Sequence, residues 1–169
     1  RIRLDGAPID EATRRRFGYM PAERGLYPKM AVREQVEYFA RLAGMPASRA
    51  RARTDEVVAL LGLQAHADDE VQSLSSGNQQ RTQLAVTLVH EPDVLILDEP
   101  FNGLDPLAVD ALGDILTQIT AAGAIVLLSS HQLDLVATVC PAVIVIDHGR
   151  IVLNGDVQSI RDASPWRHL

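Results

Sequence analysis

The run Val94-Leu95-Ile96-Leu97-Asp98-Glu99-Pro100 sets four consecutive large apolar residues directly before two adjacent carboxylates. An apolar run of that length has no polar face, so it reads as a buried strand of a parallel sheet. Ligands of parallel α/β sheets bind beyond the carboxyl ends of the strands. A carboxylate at that end suits a Mg²⁺ ion that also holds phosphates, and a second beside it suits orientation or deprotonation of a water. Taken alone, Asp98 and Glu99 read equally as two solvated acids at a strand end.

The sequence after this run repeats the pattern. Asp105-Pro106 is a helix start, with Asp at the N-cap and Pro at the first helical position. That helix reaches about Ala121 and Gly123 stops it. Ile125 to Leu128 reads as a second buried strand, Leu133 to Val139 as a short helix, and Val143 to Ile146 as a third buried strand. His148-Gly149 then makes a tight turn into Arg150 to Leu153, which fits a hairpin. Strand, helix, strand, helix, strand predicts a parallel α/β sheet covered on both faces.

Before the run the chain is mostly helical. Phe17 to Met20 is a brief strand candidate, ended by Pro21. Val32, Val36, Phe39, Ala40 and Ala43 form one apolar stripe on a helix over 32–43. A second helix runs from about Ser48 to Leu61, and a third from Ser76 to His90. The expected division is therefore a core remnant at 1–31, a helical insertion at 32–90, an α/β core at 91–160 and a tail at 161–169.

Composition narrows the function classes. The 169 residues carry a net charge of -6 and a pI near 5.3, which argues against non-specific nucleic-acid binding. Arg14-Arg15-Arg16 and Arg49, Arg51 and Arg53 read as solvated helix faces, because no aromatic residues interleave with them. Cys140 is the sole cysteine, so there is no disulfide framework or Cys-rich zinc site, and the chain suits a reducing compartment. No apolar run approaches the roughly 18 residues of a membrane span.

Two further stretches bear on chemistry. Leu74-Ser75-Ser76-Gly77-Asn78-Gln79-Gln80-Arg81 is a small polar run at a helix start. Free N–H groups and the helix dipole make such an end favourable to anions, and Gly77 lets a phosphate approach the backbone. A plain N-cap by Ser75 or Ser76 is the alternative reading. His131 follows the second strand through Ser129-Ser130. It reads either as a phosphate contact at the sheet edge or as a turn residue.

In combination and in order, these stretches resemble the nucleotide-binding domain of ATP-binding cassette (ABC) proteins, over nearly all of residues 1–160. Leu74 to Arg81 looks like the signature motif, Leu95 to Pro100 like Walker B and its following glutamate, Asn102-Gly103-Leu104-Asp105-Pro106 like the D-loop, and Ser129-Ser130-His131 like the switch histidine. Gly18 to Pro21 with Glu23 to Pro28 looks like the Q-loop region of the branch that includes sodium-efflux and drug-resistance exporters. The resemblance implies a P-loop NTPase-like α/β core with an inserted helical subdomain. It implies ATP and Mg²⁺ as cofactors, and two domains packed head to tail around two ATP molecules. Ser75, Ser76, Gly77, Asn78 and Gln79 would then face the ATP held mainly by the partner. Asp98 would hold Mg²⁺ through water, Glu99 would orient the attacking water, His131 would touch the γ-phosphate, and Asp105 would couple the two sites. Residues 32–90 would dock on a membrane permease. The implied place is cytoplasmic, at the inner face of the membrane, with no nucleic-acid partner.

The sequence departs from that pattern in three places. No G-x-x-x-x-G-K-[ST] occurs, and the sole lysine, Lys29, lies outside any glycine-rich loop. The expectation is a domain cut at its N-terminal side, poor at ATP binding alone and inactive, with the apolar edges of Val94 to Leu97 exposed and the chain poorly soluble. Ala22 stands where the family has the Q-loop glutamine, with Glu23 next to it. Ser76 and Asn78 stand where Gly and Gln are more usual. The functions in competition are an ATPase subunit powering a transporter, a soluble ABC ATPase acting on ribosomes or DNA, and a degenerate cassette that completes a partner's site.

Overall fold

Parallel pairing is the core of the computed structural model, which describes residues 2–4 and 6–163. Phe17–Met20 (β3), Val94–Asp98 (β4) and Ile125–Ser129 (β5) form a three-stranded sheet in the order β3-β4-β5. Phe17 pairs with Val94 and Val94 with Ile125, both in parallel register. Both edges of β4 are thus occupied, by β3 and β5. This corrects the expectation that Val94 to Leu97 would offer an open edge: Val94, Leu95 and Leu97 are buried.

The sheet is not buried on both faces. Met20, Leu95 and Leu97 point to one side and are buried. On the other side Ile125 is 54% and Leu127 57% exposed, so the expected buried strand Ile125 to Leu128 alternates between exposed and half-buried residues. Among the described residues no helix of this unit covers that face. The run of apolar residues recorded hydrophobicity, and the covering layer decides burial.

Ser76–Leu88 (α4) packs on the covered face. Gly18 on β3 is required by this approach: a Cβ there would stand 2.8 Å from Leu95 Cδ2 and 2.9 Å from the Thr87 carbonyl oxygen. Val32–Leu42 (α2) and Ala47–Leu60 (α3) pack on α4 and on each other. The α2 stripe buries Val32, Val36 and Ala40 as expected. Gln35 joins them, Phe39 is half-buried and Ala43 is exposed. No side chain caps α2. Its first N–H groups are satisfied instead by the strap between α3 and α4, with Val32 N donating to Asp69 O at 3.1 Å and Arg33 N to Ala67 O at 2.8 Å.

Pro106–Ala121 (α5) follows β4 and returns the chain to β5, giving the parallel crossover. Near the N-terminus Arg3–Leu4 (β1) and Ala7–Pro8 (β2) pair as a short antiparallel ribbon, and Glu11–Arg14 (α1) is capped by Asp10. Arg1, Asp5 and the tail from residue 164 lie outside the described residues.

The chain forms two compact units, one ending at Ser129 and one beginning at Ser130. The second holds Leu133–Val139 (α6), Ala142–Asp147 (β6), Arg150–Asp156 (β7) and Val157–Ala163 (α7). The β6–β7 pair is an antiparallel hairpin. Its turn, His148 at φ 45° and Gly149 at φ 75°, has the two left-handed residues that match strand twist. Val143 to Ile146 is therefore not a third buried parallel strand: Ile144 is 52% and Ile146 66% exposed. A strand joined by a two-residue turn to its neighbour pairs antiparallel with it, and that local closure sets the geometry of β6.

Candidate functional site

Asp98 ends β4 opposite Ser129, which ends β5. The Ser129 hydroxyl donates to Asp98 Oδ1. Glu99 N donates to the Ser129 carbonyl and hydroxyl oxygens, each at 3.2 Å. Glu99 itself has φ 50°, in the left-handed region. A glutamate held there costs of order 1–3 kcal/mol, and the bonds its N–H donates to Ser129 help to hold it. The chain turns off the strand at this residue, which sets the Glu99 side chain apart from the strand alternation.

The turn continues with Asn102 N donating to Glu99 O at 3.1 Å and Leu104 N to Phe101 O at 3.2 Å. Phe101 is buried and pins it. Asp105 caps α5, accepting from Ala108 N at 2.9 Å, with Pro106 next as expected.

Ser75 is the N-cap of α4 and accepts from Asn78 N at 3.3 Å. Ser75 and Ser76 are exposed, and Gly77, Asn78 and Gln79 half-buried. The structure brings this helix start and the 99–105 turn together. Ser76 Oγ donates to Gly103 O at 3.4 Å, and Gln80 Nε2 to Pro100 O at 3.0 Å. A Cβ at Gly77 would meet only Leu104 Cδ2, at 3.7 Å. That is ordinary contact, so the packing of this chain does not itself require glycine at 77. Gln79 spends its amide on the loop before it, donating to Val71 O at 3.1 Å and Leu74 O at 3.2 Å.

The 21–24 segment, part of the stretch that resembles the Q-loop region, is fastened to α4. Gln83 Nε2 donates to Pro21 O at 2.8 Å and Glu23 O at 3.3 Å. Arg24 donates to Gln79 Oε1 at 2.9 Å and Ser76 O at 3.3 Å. Farther along, Gln35 Oε1 accepts from Tyr27 N at 2.7 Å. Sequence reasoning placed Arg24 and Gln80 inside motif runs and did not single out Gln35 or Gln83, and it gave none of the four a tethering role. The available signal was glutamine at buried helical positions, since a buried amide needs partners and so ties elements together.

His131 falls in the second unit, directly before Gln132, the N-cap of α6. Among the described residues no group of three or more His, Cys, Asp or Glu forms a metal cluster. Asp98 is a single carboxylate at a strand end, with one oxygen engaged by Ser129. That donor set suits an ion whose other ligands are water and phosphate, as Mg²⁺ prefers. No helix of the described residues is long and apolar enough to cross a membrane.

The chain is similar to known proteins. A family model described as ABC transporter matches residues 1–102. The uncharacterized ABC transporter ATP-binding protein YhaQ of Bacillus subtilis (strain 168) is 36% identical over 160 residues, which is 95% of this chain and 54% of that protein. The Nod factor export ATP-binding protein I of Paraburkholderia xenovorans (strain LB400) is 38% identical over 157 residues, 91% of this chain and 52% of that one. The chain spans about half the length of these curated relatives. The structure of cbiO1 from Clostridium perfringens, described as part of the ABC transporter complex cbiONQ, superposes with a TM-score of 0.84 at 29% identity, covering 95% of this chain and 67% of that one. The sheet, the helical insertion and the ordered motifs thus have one common explanation: the chain belongs to the ABC transporter family, as an α/β nucleotide-binding domain with a P-loop NTPase-like core.

Proposed function

We propose that this chain is part of an ATP-hydrolysing subunit of an ABC transporter, working with a membrane permease and a second nucleotide-binding domain, in the direction of export. The observation that carries the reading is Gly77. Its backbone at the helix N-terminus is bare for no reason internal to the chain, as it would be if a phosphate held by a second domain had to approach it.

In this reading Ser75, Ser76 and Gly77 present the α4 N-terminus to the γ-phosphate of a nucleotide held mainly by the partner domain, with Asn78 in the same turn. Gln79 shapes the preceding loop. Asp98 holds Mg²⁺ through water, with its orientation fixed by Ser129. A bound Mg²⁺ supplies neutralisation of developing phosphate charge. Glu99 accepts a proton from, or orients, the attacking water. His131 donates to the γ-phosphate. Asp105, through the turn shared with Gly103 and Leu104, couples one nucleotide to the other. The exposed Tyr27 and Tyr38 and half-buried Phe39 form an aromatic cluster, with Tyr38 and Phe39 edge to face at 5.4 Å. In this reading the cluster on residues 27–39 is part of the surface that docks on the permease, with the chain at the inner face of the membrane. The export direction rests on the Q-loop region and on the named activity of the Nod factor relatives.

The test is the assembly purified from its own membranes through a tag on this chain. Glu99→Gln lowers ATP turnover by about a hundredfold or more while the assembly still forms. Undiminished hydrolysis removes Glu99 from its role, and purification without a membrane partner removes the transporter reading.

A further inference from the structure

We propose that the cavity between α4, α5 and the end of α3 is a binding site for a small monocarboxylate whose apolar body is about the size of one aromatic ring. The cavity has a volume of about 170 Å³ and its walls include Met20, Leu61, Leu84, Leu104, Leu112 and Ile115. An apolar cavity of about 150 Å³ elsewhere stays dry and takes benzene. This one therefore has room for a single ring and offers water almost no partners. Its polar lining is Gln80 and Arg81, and the Gln80 amide nitrogen already donates to Pro100 O.

Arg81 supplies the charge complementarity. Its guanidinium lies by Gly62, which also lines the cavity: a Cβ there would stand 3.7 Å from Arg81 Nη1. The side chain is half-buried, and among the described residues it makes no hydrogen bond or ion pair. The other described cations whose side chains make no hydrogen bond or ion pair, Arg14, Lys29, Arg41, Arg150 and Arg161, are all exposed. A half-buried guanidinium with no anion forfeits hydration without compensation. A carboxylate meets it with two parallel charge-assisted bonds, and the apolar body then fills the cavity behind it.

The site's position gives an occupant a consequence. Pro100 and Leu104 lie in the turn after Glu99, and Gln80 and Leu84 lie on the helix that begins at Ser76. One molecule in the cavity touches both, so it braces the turn against the helix. Neither ATP nor a partner domain enters this argument, so it stands or falls apart from the function proposed above.

The probe is 3-phenylpropionate, and 3-phenylpropan-1-ol is its neutral counterpart. Both are titrated into the chain while the methyl resonances of Leu84, Leu104 and Ile115 are followed. The carboxylate should shift these methyls saturably, with a Kd of about 1 mM or tighter given its small size. The alcohol should bind at least tenfold more weakly. Arg81→Met should remove that difference and leave alcohol binding unchanged. Absence of a saturable shift at about 10 mM, or shifts confined to other methyls, overturns the site. Equal affinity for acid and alcohol in the unaltered chain means the cavity takes apolar molecules without regard to charge and overturns the ligand class, even if Arg81→Met fails to fold.

Discussion

Replacing Gly77 by alanine separates a fold requirement from a functional one. Gly77 is the second residue of α4, its φ lies outside the left-handed region, and the added methyl would meet only Leu104 Cδ2 at 3.7 Å. No clash opposes the change, and alanine gains on glycine by roughly 0.5–1 kcal/mol in a helix. A kilocalorie moves Tm by about 2–4 °C in a domain of this size, so Gly77→Ala should raise Tm by about 1–4 °C. Gly18→Ala is the contrast. Its methyl would stand 2.8 Å from Leu95 Cδ2 and 2.9 Å from a backbone oxygen on α4, and overpacking of that kind costs about 1–3 kcal/mol. Thermal unfolding followed by circular dichroism reads both. In the membrane assembly Gly77→Ala should still lower ATP turnover, by about tenfold, which is ~1.4 kcal/mol of lost contact. If Gly77→Ala destabilises the chain, the glycine serves internal packing. If turnover is unchanged, nothing approaches Gly77 from outside. Either result refutes the reasoning.

The remaining predictions concern single contacts. Gln80→Leu keeps the volume but leaves the Pro100 carbonyl without its donor, so urea unfolding should show a loss of about 1–3 kcal/mol; an unchanged midpoint would mean that this bond does not hold the turn to α4. Ser129→Ala removes a donor to Asp98 and an acceptor for Glu99 N. Hydrogen exchange at the Glu99 amide should then speed up, and unchanged protection would assign the strained φ to another cause. Burial pushes the Cys140 thiol above its ordinary pKa. Less thiolate is present at neutral pH, so iodoacetamide should react more slowly than with an exposed model thiol, with the rate rising at higher pH than usual. A rate equal to the model thiol's would contradict this.

Much of the candidate site could be read before any fold was known, because its residues sit in short contiguous runs. Asp98 and Glu99 end an apolar strand, Ser75 and Asp105 begin helices, and each role follows from local backbone geometry. The long-range glutamine and arginine contacts were not legible. Gln80 binds a carbonyl 20 residues away and Gln83 one 62 residues away; a buried helical position marks such a glutamine as needing partners, but nothing local says which carbonyl it meets.

Strand placement shows the same divide. The apolar runs Val94 to Leu97, Ile125 to Leu128 and Val143 to Ile146 look alike in sequence, and the structure gives each a different fate. The first is central and buried, the second is paired on β4 but open on one face, and the third is half of an antiparallel hairpin. Sequence by itself determined which residues prefer to leave water and where strands end and helices begin, since side-chain hydrophobicity and capping act over a few residues. Only the tertiary structure decided which neighbour covers each apolar face, which amide meets which carbonyl, and that Arg81 lines an apolar cavity with no ion-pair partner among the described residues. Those outcomes depend on pairs of residues far apart in the chain, and no local pattern contains both members of such a pair.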